Sequence, residues 1–234
     1  MKKHIFAYLN PPITSKVLPM YWYLGYNVYS KGVLEVGGVI LASWIVPIHE
    51  NYDGLDYWCT CMFGEGNPTD PYLIPTDRAL LDRRRKMILA PVLEKAVKAG
   101  NIIIPEEFEV GFDHVTNLIA GLGMEDDPNY YLTRGYPGSV NTYVFNSISE
   151  PANNSYPPTN EETFIGYMHL SMYYNQARLA EVYPADKYPF LTEKFAFVQK
   201  YLKDKYQIDL EAITNGPEDW DLPLPPIPET PDEE

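Results

Sequence analysis

The chain has 234 residues, of which 18 are basic and 32 acidic, for a net charge near −14, and 45% are hydrophobic. That length can bury a substantial core, and the apolar share is ordinary for a globular protein. So acidic a chain is a poor general nucleic-acid binder, because phosphates repel it; the charge favours solubility and a cationic partner.

Met1-Lys2-Lys3-His4 leads into a mixed stretch with Pro11 and Pro12, not a continuous apolar segment, so no secretory leader is expected. The chain is expected to be made in the cytoplasm, not secreted, and open to incorporation into a particle. The longest apolar run, Val36 to Ile48, spans 13 residues and contains Gly37, Gly38, Ser43 and Pro47. It is too short to cross a bilayer and reads as a buried strand pair, so no membrane partner is expected.

The first 70 residues read as β-rich. His4–Leu9, Met20–Ser30, Val33–Val46 and Leu55–Phe63 hold β-branched and aromatic residues separated by Gly, Pro and Asn. Gly37-Gly38 marks a turn or bulge that splits the long run. Cys59 and Cys61 would share one face of a strand, at a spacing long for a disulfide, and read as two free, half-buried thiols. A proline-rich loop, "GEGNPTDPYLIPTD", follows.

Helical patterns begin at Thr76, a candidate N-cap. Leu81, Ile88 and Val92 recur at helical spacing, as do Leu89, Leu93 and Val97, and Gly100 is the natural stop. Pro91 inside this pattern predicts a kink, or two helices meeting there. Ile102–Pro105 reads as extended, Phe112–Leu122 as a short helix, and Val140–Ile148 as a strand. Thr159 and Glu162 fit a capping box, opening a helix whose stripe is Ile165, Met168, Met172 and Leu179 and which Pro184 closes. Leu191, Phe195, Val198 and Leu202 then mark a one-faced helix from about Phe190 to Lys205.

From Asp209 onward come nine acidic residues, six prolines and no basic residue. Such a composition suits a solvated or polyproline-like tail, with Leu222, Leu224 and Ile227 available for docking. The expected fold class is α+β: one globular domain over 1–208, β-rich to residue 70 and mixed or helical over 76–208, then an acidic tail over 209–234.

Motifs for chemistry are sparse. His49-Glu50-Asn51 lacks the second histidine of a zinc-protease helix, and Gly135–Ser139 lacks the spacing of a nucleophile elbow. Gly121-Leu122-Gly123 leads into acidic residues, which would repel phosphate. Glu125-Asp126-Asp127 lacks calcium-loop spacing. His4, His49, His114 and His169 read singly as structural histidines. No catalytic residue, metal or cofactor is therefore expected. The alternative is a small hydrolase assembled from His49, Glu50, Asp53 and Asp56, which requires those groups to converge in a pocket.

The charge is segregated. Residues 76–100 carry a net +4, and the rest of the chain carries −18. Within that segment "DRRRK" places Arg83, Arg84, Arg85 and Lys86 on successive helical steps, so they nearly encircle the helix and cannot share one solvated face. They could pair with the chain's own carboxylates, with the acidic surface of another copy, or with a phosphate. Twenty tyrosines, including Tyr21, Tyr23, Tyr26, Tyr29, Tyr52, Tyr130, Tyr131, Tyr136 and Tyr156 in polar surroundings, suit interfaces or the rim of a β-rich core.

These features favour a non-catalytic subunit of a larger protein assembly, of the kind found in phage or virus particles. It would act through protein–protein contacts, among them contacts with copies of itself. The expected contact residues are Arg83, Arg84, Arg85, Lys86, Leu222, Leu224 and Ile227. An acidic inhibitor or immunity protein capping a basic partner is a further alternative.

Overall fold

A computed structural model describes residues 4–25, 29–47, 51–53, 57–61, 78–143 and 145–217. The chain is α+β, with strands in its N-terminal part and helices beyond. In order, it runs through α1 (Pro11–Thr14), β1 (Tyr21–Gly25), β2 (Tyr29–Val36), β3 (Val39–Pro47), β4 (Asn51–Asp53) and β5 (Tyr57–Cys61). The helices α2 (Arg78–Lys98) and α3 (Glu106–Glu109) follow. After the short strands β6 (Ser139–Val140) and β7 (Ile148–Ser149) come α4 (Asn160–Tyr173), α5 (Gln176–Val182), α6 (Pro189–Tyr206) and α7 (Leu210–Asn215).

The chain divides into two compact units, residues 1–18 with 85–217, and residues 19–84 with 218–234, so one boundary falls inside α2.

In the mainly helical unit, α4 is central and contacts α6, α7 and β6. Phe164, Ile165, Tyr167, Met168, Leu170 and Met172 of this one helix are buried, as expected for a helix covered on most sides. The capping box forms: Thr159 Oγ1 accepts from the Glu162 N–H at 3.3 Å, and Glu162 Oε2 accepts from the Thr159 N–H at 2.8 Å. Two hydrogen bonds to Thr159 hold the Glu162 carboxyl below the usual carboxylate range. On α6, Leu191, Phe195, Val198 and Leu202 are fully buried, matching the one-faced pattern.

Several segments depart from the expected local structure. Residues 4–9 form no strand; Phe6–Tyr8 is a 3-10 turn. Asn10 caps the following helix by accepting from the Ile13 N–H at 3.2 Å, and Pro11 sits at the helix start, where its missing N–H costs nothing. Asn10 also donates to the Tyr206 carbonyl at 2.7 Å, tying this segment to the end of α6. Helix α2 runs through Pro91 as one element, not two helices meeting there.

Residues 112–122 are turns and bridges, not a helix. Asp113 Oδ1 accepts from the N–H groups of Val115 at 2.8 Å and Thr116 at 3.1 Å, a local turn that competes with helix formation. The expected strand over 140–148 is reduced to its two ends, β6 and β7, which pair antiparallel. Asn141 Oδ1 accepts from the Tyr143 N–H at 3.1 Å and turns the chain between them. The helix expected to reach Pro184 breaks after Tyr173. There Asn175 caps α5 by accepting from the Arg178 N–H at 2.9 Å. Finally, residues 210–215, placed by composition in the extended tail, form α7. Asp209 caps it by accepting from the Ala212 N–H at 2.9 Å, and Leu210 and Ile213 are buried. Local capping and two apolar anchors outweigh the acidic composition there.

In the other unit, β5 lies between β1 and β4, parallel to β1 and antiparallel to β4. Trp22 and Trp58 meet edge to face at 5.4 Å, and Trp58 is buried. Cys59 is half-buried, and the side chain of Cys61 is outside the described residues. Strands β2 and β3 form a separate antiparallel hairpin. Its turn is Gly37-Gly38, with φ of 60° and 81°, the doubly positive geometry of a two-residue turn matched to strand twist.

The run Val36–Ile48, expected as a buried strand pair, instead supplies one strand, β3, which pairs with β2 before it, and its described side chains are not buried. No third strand joins it among the described residues. Every described side chain from Val33 to Trp44 is exposed.

Candidate interaction surface

Among the described residues, the β2–β3 hairpin carries a run of exposed apolar side chains. Val33, Leu34, Val36, Val39, Ile40, Leu41 and Trp44 are between 44% and 62% exposed. Scattered exposed apolar residues need no explanation, but seven on one ribbon make it strongly apolar for an exposed element. A two-stranded ribbon is also marginal in water by itself.

The register pairs Gly32 with Trp44, Val33 with Ser43, and Leu34 with Ala42, and it shifts between Leu34 and Glu35, where β3 carries an extra residue. The Trp44 ring lies over Gly32, where a Cβ would come within 2.3 Å of it. Gly32 therefore seats the indole flat on the ribbon. Lys31 and Glu35, both exposed, are the only charged residues between positions 29 and 47.

The DRRRK segment presents a different picture. Arg83 is half-buried, while Arg84, Arg85 and Lys86 are buried within α2. Arg85 donates through Nη2 to the Ile213 carbonyl in the last turn of α7, where carbonyls lack intrahelical donors. Its guanidinium lies 5.1 Å from the centroid of the Tyr8 ring. This arginine serves the fold of its own unit, and three of the four cations are not laid open as a surface patch. Leu222, Leu224 and Ile227 lie outside the described residues, as do His49, Glu50 and Asp56. Asp53 ends β4, but its side chain is outside them too.

The tyrosines divide. Tyr130, Tyr131 and Tyr136 are buried, whereas Tyr21, Tyr23 and Tyr156 are exposed. Tyr26 and the side chains of Tyr29 and Tyr52 are outside the described residues. Burial pushes the Tyr136 hydroxyl up to about 12, and the hydroxyl donates to the Asp113 carbonyl at 2.8 Å.

A cleft of about 530 Å³ in the helical unit is lined by Tyr136, Pro137, Pro151, Tyr156 and Pro157, with Glu162 as its carboxylate. Two of its polar groups are engaged within the chain. Glu162 is held by Thr159, and the Thr163 hydroxyl donates to the Thr159 carbonyl at 2.8 Å. His114 Nδ1 contacts the Pro158 carbonyl at 2.8 Å, so that nitrogen carries the proton. Among the described residues no group of three His, Cys, Asp or Glu side chains could hold a metal ion, and no helix is long and apolar enough to cross a membrane.

Two ionisable groups are buried in the helical unit: Lys194, which the sequence does not single out, and His169, read there as a structural histidine. Lys194 donates to the carbonyls of Phe108 at 2.8 Å and Val110 at 2.7 Å and sits among the rings of Phe108, Phe112, Phe190 and Phe197. Burial lowers its pKa. Its place in α6, one residue before the core Phe195, was the available signal. His169 is buried on α4 with Nε2 3.8 Å from Glu94 Oε2, and burial pushes it down to about 4.

The chain matches no family model, no curated protein and no solved structure.

Proposed function

We propose that this chain is a non-catalytic subunit of a larger protein assembly, such as a phage or virus particle, and that it works through protein–protein contacts. The β2–β3 hairpin carries the reading. It exposes seven large apolar side chains on a ribbon with one cation and one carboxylate, in a chain whose net charge is −14. Apolar ribbons of this kind are stabilised when a partner covers them or adds a strand to their edge.

The test follows native mass in two settings. One is the extract of cells that make the protein; the other is the purified chain, as wild type and with Val36, Val39 and Ile40 all replaced by serine. A complex in the extract that the triple variant fails to enter supports the reading. Wild-type protein that travels as a single chain in the extract overturns it.

A further inference from the structure

We propose that strand β2 pairs edge to edge, antiparallel, with β2 of a second copy of this chain, with the two-fold axis at Val33. The proposal rests on the contact reading above and names the partner of that same hairpin.

The backbone is poised for it. In a two-residue hairpin the residues flanking the turn, here Val36 and Val39, form a hydrogen-bonded pair. Alternation along β2 then turns the backbone groups of its even-numbered residues toward β3. The N–H and C=O groups of Tyr29, Lys31, Val33 and Glu35 point the other way. Among the described residues, β2 pairs with β3 alone. A two-fold at Val33 makes Val33 a hydrogen-bonded pair with its own copy, followed by Lys31 with Glu35.

Charge selects this register. Lys31 and Glu35 stand two residues either side of Val33. Antiparallel pairing about Val33 sets each Lys31 opposite the Glu35 of the other copy, twice over. A two-fold at Lys31 or at Glu35 would set like charges opposite, which is destabilising. The stretch 29–47 is neutral, so it is also a place where two acidic chains can approach with least repulsion.

Packing agrees. The same register puts Leu34 of one copy opposite Gly32 of the other, where the Trp44 ring lies. Two exposed apolar groups would thus cover each other, on both sides of the axis. The other edge is less suited to pairing. Strand β3 carries the register shift and ends in Pro47, which has no N–H to donate.

Sedimentation equilibrium of the full chain tests the pairing. The wild type should dimerise. Lys31→Glu or Glu35→Lys should each weaken the dimer about tenfold or more, since each places two like-charged pairs opposite. The double exchange Lys31→Glu/Glu35→Lys should restore it to near the wild-type value. Val33→Pro removes an N–H that points away from β3, so the hairpin tolerates it while the dimer is lost. A dimer indifferent to the single charge reversals and to Val33→Pro overturns this edge. A wild type that stays a single chain at its highest soluble concentration overturns the second copy as partner. If that single chain still enters a larger complex in cell extract, the assembly reading stands without this pairing; if it does not, both fall.

Discussion

Helix α6 and the β2–β3 hairpin are both rich in large apolar side chains, with opposite outcomes. On α6, Leu191, Phe195, Val198 and Leu202 are fully buried, and exposed Lys200, Lys203 and Asp204 lie between or beyond them. On the hairpin, Val33, Leu34, Val36, Val39, Ile40, Leu41 and Trp44 remain in solvent. A helix with one apolar stripe needs one covering neighbour, and α6 packs against α4, α7 and α3. A strand run with apolar residues on successive positions presents them to both faces, so it needs two covering layers. Amphipathic spacing therefore announces burial inside the chain, whereas a continuous apolar run announces only that something must cover it.

Stability measurements can break this contrast. Phe195→Ala should cost about 3–5 kcal/mol, seen as a lower urea midpoint, because the ring is fully enclosed and its loss leaves a cavity. A loss no larger than that of a surface change would mean that the α6 stripe is not the core.

Acid titration probes the same unit. His169 is held neutral by burial, down to about 4 from an ordinary 6.5, against an opposing pull from Glu94. The unfolded chain takes up this proton first as pH falls. The stabilisation is complete above about 6.5 and is lost toward about 4, roughly 3 kcal/mol from this group. His169→Gln should flatten the dependence of unfolding free energy on pH in that window; an unchanged slope would show that the imidazole is not buried neutral.

Smaller effects sharpen the comparison. Thr159→Ala should cost about 1 kcal/mol by removing the side-chain acceptor of the α4 capping box, read by thermal or urea unfolding. Ile40→Ser, on the exposed hairpin, should change the unfolding free energy of the single chain by less than about 0.5 kcal/mol. The same substitution should lower entry into the larger complex, read as native mass in cell extract. A large loss of single-chain stability from Ile40→Ser would erase the distinction between the two regions.

The same logic explains what could be read about the candidate site. The charge run at Arg83–Lys86 stood out in the sequence because charge is visible there. The burial of Arg85 depended on where α7 and Tyr8 came to lie, since it meets groups 128 residues away at Ile213 and 77 residues away at Tyr8. The hairpin's apolar run is equally visible and reads as interior. Hydrophobicity signals a preference for cover, and that preference does not say whether the cover belongs to the same chain.

The sequence by itself determined the elements whose signals are local. The Thr159–Glu162 box, the Gly37-Gly38 turn and the four-three-four spacing on α6 each act within a turn or two of chain, and each appears as expected. Only the tertiary structure decided which apolar faces found partners and which cations were buried. It also decided that residues 210–215 fold as α7, since Leu210 and Ile213 gain burial only where α4 and α6 lie alongside them. Burial is a property of distant surfaces brought together, and no local spacing encodes it.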